Sequence, residues 1–98
     1  MIQEKHVSEM AVVDEILTDA SINDAAWVCN TISSNGECMQ YTTRITISET
    51  SRAILDVGVR DNNKWFTISG SNSNSGFRIW DDSMDKLPSV LKFLQYID

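Results

Sequence analysis

The sequence predicts a single α+β domain, built from an N-terminal helix, an antiparallel meander of about five strands and a C-terminal helix packed on one sheet face. Three observations predict this fold. Apolar residues recur at helical spacing near both ends of the chain, apolar and polar residues alternate through the middle, and an Asn-Gly pair separates two β-rich runs. At 98 residues the chain suits one core, so we expect 1–98 to form one domain.

Helical periodicity marks the two ends of the chain. In 7–20, with Ser8 available as a cap, apolar residues recur three and four positions apart: Val7, Met10, Val13, Ile16 and Leu17. A second stripe near the C-terminus predicts another helix: Leu87, Val90, Leu91, Leu94 and Ile97. Pro88 fits the first turn of that helix, where the missing N–H costs least.

The middle of the chain reads as five strands, at 27–33, 38–48, 53–59, 65–69 and 77–80. The second run alternates most regularly, which predicts one buried face and one wet face rich in Thr, Arg and Asp. The Gly/Ser/Asn-rich segment 69–76 predicts a long, mobile, exposed hairpin loop. Adjacent pairs such as Trp65/Phe66 and Ile79/Trp80 must point to opposite sheet faces, so an aromatic side chain is expected on the outer face.

Asn35-Gly36 predicts a two-residue type I′ hairpin turn, because that turn needs positive φ at both central positions. In that register Cys29 faces Thr42 and Trp27 faces Arg44, so Cys29 and Cys38 are not expected to form a disulfide. The two cysteines also lack CxxC spacing and neighbouring histidines, which argues against a zinc site. With no signal-peptide pattern at the start of the sequence, they indicate a reducing, cytoplasmic setting.

The chain is acidic, with 14 acidic against 8 basic residues and a net charge of −6. Such a charge disfavours direct binding to nucleic acid or to a membrane surface, and it favours a partner protein with a basic surface. Residues 1–30 hold six acids and one lysine, which is a net charge of −5 and most of the excess. No apolar run is long enough to suggest a membrane span.

Residues suited to catalysis are sparse. The one histidine, His6, lies in a segment expected to be frayed and exposed, and neither cysteine has a local base. No metal or cofactor is expected, since the aspartates near residue 81 lack the DxDxDG calcium pattern. An enzyme that uses only carboxylates, such as Asp56 with Asp61 or Asp81 with Asp82, is the weakest hypothesis because so short a chain has little room for a pocket.

Two groups of residues are therefore candidates for partner binding. Exposed aromatics bordered by charge are typical of protein-binding surfaces, and basic partners are attracted to carboxylates. The acidic candidates are Glu9, Asp14, Glu15, Asp19, Asp81, Asp82 and Asp85. The candidates on the last two strands are Trp65, Arg78 and Trp80. Helix capping is the structural alternative for the three aspartates at 81–85.

The favoured function is a small non-catalytic binding protein that inhibits or neutralises a partner protein, one that handles nucleic acid. Toxin-immunity proteins and phage anti-defence proteins of the anti-CRISPR type belong to this class, an analogy that rests on size and charge alone. The alternative is a homodimeric acidic chaperone or adaptor for a client protein, in which an edge strand such as 77–80 pairs between subunits.

Overall fold

A computed structural model describes residues 1–60 and 64–97 and confirms the predicted α+β architecture. Two short 3₁₀ turns, Glu4–His6 and Met84–Lys86, precede the two helices. The helices are α1 (Val7–Asp19) and α2 (Leu87–Tyr96). The strands are β1 (Val28–Ile32), β2 (Cys38–Ser48), β3 (Ser51–Gly58), β4 (Phe66–Ser71) and β5 (Gly76–Asp81).

The five strands form one antiparallel sheet in the order β1-β2-β3-β4-β5. Alternate residues of each strand point to one face, and both helices bury their apolar stripes on that face. We call this the inner face and the opposite one the outer face. The largest fully buried side chains include Met10 and Leu17 of α1, Leu87, Leu91 and Leu94 of α2, and Tyr41, Leu55, Phe66 and Ile68 of the sheet.

Several predicted boundaries differ from the structure. Ser8 does not cap α1, because it lies inside the helix, whose N-cap is His6 without a side-chain hydrogen bond. Val7 is 52% exposed, so it lies outside the buried stripe. Strands β4 and β5 extend into the predicted long loop and leave only 72–75 between them. The Asn72 side chain closes this short turn by accepting hydrogen bonds from the Asn74 and Ser75 backbone N–H groups.

The predicted type I′ turn between β1 and β2 is wrong. Only Gly36 has positive φ, at 83°, and its N–H donates to the Ser33 carbonyl oxygen across the turn. Ser33 N–H then donates to the Glu37 carbonyl oxygen, as in a three-residue hairpin loop that ends in a left-handed glycine. The pairing therefore shifts by one residue, and Cys29 lies opposite Tyr41 instead of Thr42.

The expectation that the two cysteines stay apart is also wrong, because Cys29 and Cys38 form a disulfide with their Cα atoms 6.0 Å apart. In a regular ladder Cys38 would lie three positions, about 10 Å, from the residue opposite Cys29. Register shifts on both sides of Thr31 remove that regularity and bring the two residues together. The cysteines therefore no longer support a reducing compartment.

The N-terminal segment is anchored to the β1–β2 hairpin instead of being frayed. His6 is only 2% exposed, and its Nδ1 lies 3.0 Å from the buried Tyr41 hydroxyl. That hydroxyl also accepts the Gln3 backbone N–H at 2.9 Å. The Gln3 side chain accepts the Cys38 N–H at 2.8 Å and donates to the Gly36 carbonyl oxygen at 2.9 Å. His6 thus satisfies a buried hydroxyl in the fold.

An ion pair adds to this anchor, since Lys5 Nζ lies 3.0 Å from Glu37 Oε1. The hydrogen bond from Lys5 lowers the pKa of Glu37 below its ordinary value of 4.5. When the pKa of a carboxyl is lower in the folded state than in the unfolded state, the ionised carboxyl stabilises the folded protein at pH values above the unfolded-state pKa. This stabilisation is lost as the pH falls through the folded-state pKa. The ion pair is exposed, so its contribution is small.

Replacing Lys5 with methionine is therefore expected to lower stability slightly near neutral pH and to have a smaller effect in acid. The urea midpoints of wild type and Lys5→Met should differ at about pH 7, and the difference should be smaller at about pH 3, because Glu37 becomes protonated as the pH falls through its lowered folded pKa. A difference that is equally large at both pH values would contradict an origin in the Lys5–Glu37 pair.

Candidate functional site

The acidic candidates on α1 lie on three different sides of the helix. Glu15 and Asp19 point away from the buried stripe and are exposed. Asp14 lies on the flank next to β1, where its Oδ1 accepts a hydrogen bond from Trp27 Nε1 at 2.7 Å. The predicted contact between Trp27 and Arg44 is therefore wrong, because Trp27 precedes β1 and holds α1 to this side of the sheet.

Glu9 lies on another flank of α1, half-buried in a cleft of about 120 Å³. The walls are α1, the end of β3 and the 3₁₀ turn before α2, and Asp85 and Lys64 also line the cleft. Its remaining lining is apolar: Met10, Val12, Val13, Ile16, Val57, Gly58, Val59 and Met84. One Glu9 carboxylate oxygen, Oε2, is buried and has no hydrogen-bond partner within residues 1–60 and 64–97. We call this region the Glu9–Asp85 cleft.

The three aspartates near residue 81 have separate surroundings. Asp81 Oδ1 accepts the Ser83 backbone N–H at 2.8 Å and so stabilises a local turn, whereas the helix-capping alternative for these aspartates is wrong. Asp82 is exposed, and Asp85 reaches the Glu9–Asp85 cleft. None of the three caps α2, whose N-cap is Lys86 without a side-chain hydrogen bond.

The aromatic candidates lie on the opposite side of the sheet from the helices. Trp80 is 62% exposed and pairs with Thr67, whereas its neighbour Ile79 points inward and is half-buried. Trp65 is half-buried against Gly58, where an added Cβ would lie 2.0 Å from the indole Nε1. Its neighbour Phe66 is fully buried on the inner face, so both adjacent pairs split between the faces as predicted.

The outer face also collects basic residues that are scattered in the sequence. The strand register places Arg44, Arg52 and Arg78 on the same face as Trp80, and all three are exposed. The residues in register with Trp80 on the neighbouring strands are Thr67 and Asp56, so the arginines share the face of Trp80 without surrounding it. The acidic α1 residues and the outer-face arginines thus lie on opposite sides of the sheet.

Two aspartates near the outer face are occupied by hydrogen bonds. Asp56 accepts from the Thr42 hydroxyl and, at 3.2 Å, from the Thr67 hydroxyl on the strands beside it. Asp24 accepts the Thr46 backbone N–H at 3.1 Å. Partial burial raises the pKa of Asp24, but the hydrogen bonds from Thr46 outweigh it and the net pKa is lowered. Asp61, the suggested carboxylate partner of Asp56, lies outside the described residues.

Across residues 1–60 and 64–97, no group of three or more His, Cys, Asp or Glu side chains is arranged to hold a metal ion. None of the helices within these ranges has the length and apolar character needed to cross a membrane. Comparison with protein-family models, with curated proteins and with solved structures finds no match.

The structure thus brings together two predicted residues, Glu9 and Asp85, that are 76 positions apart in the sequence. The other predicted group, Trp65, Arg78 and Trp80, lies on the opposite face of the sheet. Sequence reasoning missed the anchoring role of His6 and Gln3, and it missed the clustering of Arg44 and Arg52 with Arg78. Only the strand register shows that clustering.

Proposed function

We propose that this chain is a small binding protein that inhibits a partner protein by accepting a basic side chain of the partner in the Glu9–Asp85 cleft. The observation that carries the proposal is the Glu9 Oε2 atom, which is buried without a hydrogen-bond donor among the described residues. Buried carboxylate oxygens are normally satisfied, and leaving one unpaired costs free energy that an incoming donor would recover once the Glu9 side chain rotates towards it.

The chemistry of the cleft suits a lysine or arginine side chain. Its apolar walls from α1, β3 and Met84 match the aliphatic part of such a side chain, while Glu9 and Asp85 offer carboxylates to the cationic end. Lys64 lines the same cleft and would disfavour a second cation unless its exposed side chain moves into solvent. A guanidinium group, with five donors, would satisfy both carboxylates at once.

The surrounding charge supports association with a basic surface. Glu15 and Asp19 are exposed on the solvent side of α1, where Asp19 lies beside Lys92 of α2, and the three outer-face arginines lie across the sheet. The carboxylates of α1 would attract a basic partner and increase the association rate at low salt.

The partner class that we propose is a nucleic-acid-handling protein. Such proteins present arginine and lysine side chains to phosphates, and carboxylates placed at those side chains would exclude the nucleic acid. Toxin-immunity and anti-defence proteins, including the anti-CRISPR type, act in this general way, and size and charge support the analogy. In this proposal the chain itself does not contact nucleic acid or a membrane.

A matched pair of variants tests the proposal. Glu9→Gln/Asp85→Asn and Glu49→Lys both change the net charge by +2, but only the first alters the cleft, because Glu49 lies in the β2–β3 turn. Binding to a panel of purified nucleic-acid-binding proteins with basic surfaces is measured by titration calorimetry. For any protein bound by wild type, the cleft variant is expected to weaken binding at least about tenfold, since removing one partner of a buried charge pair costs about 2–5 kcal/mol.

In the same titrations Glu49→Lys should reduce affinity only about twofold, because an exposed charge outside the contact acts through screened, long-range attraction. The proposal is contradicted if no protein of the panel binds, or if the cleft variant and Glu49→Lys weaken binding equally.

The second candidate is a homodimeric chaperone or adaptor. It is favoured by one feature, the unpaired edge of β5, which carries the exposed Trp80.

A cytoplasmic location stays a prediction of either function. The disulfide makes it testable, because Cys29 and Cys38 would be thiols in a reducing cytoplasm and could be alkylated in cell extracts prepared under acid quench.

A further inference from the structure

The two edges of the sheet differ in how well they are protected against another strand. At the β1 edge, register shifts on both sides of Thr31 and the Cys29–Cys38 disulfide break the regular pattern of backbone groups. At the β5 edge, all six residues Gly76–Asp81 pair with β4 in unbroken register. This strand contains no proline, lysine or bulge. Its two charged residues are Arg78 on the outer face and Asp81, which faces inward at the last position of the strand.

Apolar side chains on both sheet faces are left partly uncovered along β5. Trp80 is 62% exposed on the outer face, and Phe77 and Ile79 are only half-buried on the inner face. In a strand with neighbours on both sides such inward residues are fully covered, as Phe66 and Ile68 are in β4. A strand added beside β5 would therefore bury apolar surface on both faces as well as pair the open backbone groups.

Helix α2 also leaves apolar surface exposed. Gln95 donates to the Ala20 carbonyl oxygen at 2.8 Å, so this flank of α2 faces the end of α1. Phe93 and Ile97 lie on the opposite flank and are 55% and 39% exposed. The C-terminal part of α2 lies near the end of β2, because Gln95 also donates to the Ile47 carbonyl oxygen at 3.2 Å.

We propose that β5 pairs antiparallel with β5 of a second copy about a twofold axis at Ile79, giving a continuous ten-stranded sheet. In this register Ile79 lies opposite Ile79 of the second copy on the inner face. Arg78 lies opposite Trp80 of the second copy on the outer face, and the symmetry repeats this pair. A guanidinium beside an indole ring is a favourable cation–π contact.

The complementarity of β5 with itself selects this register. Directly opposite residues must share a face, so the pairing can shift only by two positions. A shift one way sets Arg78 opposite Arg78, where like charges repel. A shift the other way leaves only residues 79–81 paired. The register centred on Ile79 pairs 77–81 and avoids the arginine repulsion, and it sets Phe77 opposite Asp81 at the two ends of the paired segment.

The dimer places both α2 helices on the same face of the extended sheet. The paired strands form a small interface, so the dimer is expected to be weak and reversible. The dimer does not depend on the Glu9–Asp85 cleft, because the cleft lies between α1, the end of β3 and the turn before α2. Dimerisation and partner binding can therefore be tested separately.

Sedimentation velocity of the full chain tests the dimer and its register with four variants. Wild type should be a reversible dimer with a dissociation constant below about 100 µM. Trp80→Arg sets arginine opposite arginine twice, so the dissociation constant should rise at least about tenfold. The double variant Arg78→Trp/Trp80→Arg exchanges the two members of the pair and should restore dimerisation to within about threefold of wild type.

Val28→Lys is the control, because Val28 is 53% exposed on the opposite edge, β1, and its replacement should leave the dimer unchanged. Phe93→Ser is a second control, because this part of α2 lies near β2 and not at the β5 edge, and it should also leave the dimer unchanged. A wild type that stays monomeric up to about 200 µM overturns the proposal. So does a dimer that tolerates Trp80→Arg, or one that Val28→Lys disrupts. A dimer that Trp80→Arg breaks and the exchange variant does not restore overturns the register.

Discussion

Replacing Phe66 with alanine is expected to lower the free energy of unfolding by about 3–5 kcal/mol, the largest effect of any single truncation considered for this chain. Phe66 is fully buried on the inner face, and its strand β4 lies between β3 and β5. It packs in the core cluster that both helices cover. Truncation therefore removes apolar burial and leaves a cavity that the sheet backbone cannot collapse to fill.

Tyr96→Ala is the matched control, because it also truncates an aromatic side chain but at a position that is 85% exposed. Its effect should stay within about 0.5 kcal/mol. Urea unfolding followed by tryptophan fluorescence measures both variants. Equal destabilisation by the two would contradict the placement of Phe66 in the core and of Tyr96 at the surface.

Removing the disulfide is expected to cost about 2.5–3 kcal/mol, because the bond closes a ten-residue loop and restricts the unfolded chain. The two cysteines are nine positions apart and join β1 to β2 next to the hairpin turn. Reduction of wild type with dithiothreitol and the variant Cys29→Ala/Cys38→Ala should both lower the urea midpoint by similar amounts. Alanine avoids burying a new hydroxyl at Cys38, which is fully buried.

The double alanine variant also provides the control for this prediction. Dithiothreitol should not change its urea midpoint, whereas it should lower that of wild type. If reductant leaves the wild-type midpoint unchanged, Cys29 and Cys38 are not joined in solution. Mass spectrometry after alkylation without reductant gives an independent answer, since a disulfide protects both thiols from modification.

Local patterns predict the architecture of this chain well where one periodicity dominates. The bounds of β2, Cys38–Ser48, match those predicted, and α1 and α2 begin at the predicted residues. The errors arise where a local sequence signal is compatible with two structures and tertiary packing selects one of them. Asn35-Gly36 suits two hairpin loops, and the one with only Gly36 at positive φ shifts the register and permits the disulfide.

The candidate sites are less predictable because they depend on which distant residues the fold brings together. Acidity near the N-terminus is visible in the sequence, but the meeting of Glu9 with Asp85 needs the packing of α1 against the turn before α2. Likewise, Arg44, Arg52 and Arg78 share a face only through the strand register. The burial of His6 is not predictable from its position near the N-terminus, because it depends on the Tyr41 hydroxyl that lies beside its ring.

In the function that we propose, the Glu9–Asp85 cleft blocks a basic protein at the surface that would otherwise bind nucleic acid. The most direct measurement is a competition by fluorescence anisotropy, in which this chain is titrated into a basic protein bound to a labelled oligonucleotide. We expect wild type to release the oligonucleotide. We expect the variant Glu9→Gln/Asp85→Asn to need at least about tenfold higher concentration than wild type for the same release. A complex that holds both this chain and the oligonucleotide, or release by both variants at equal concentration, would contradict it.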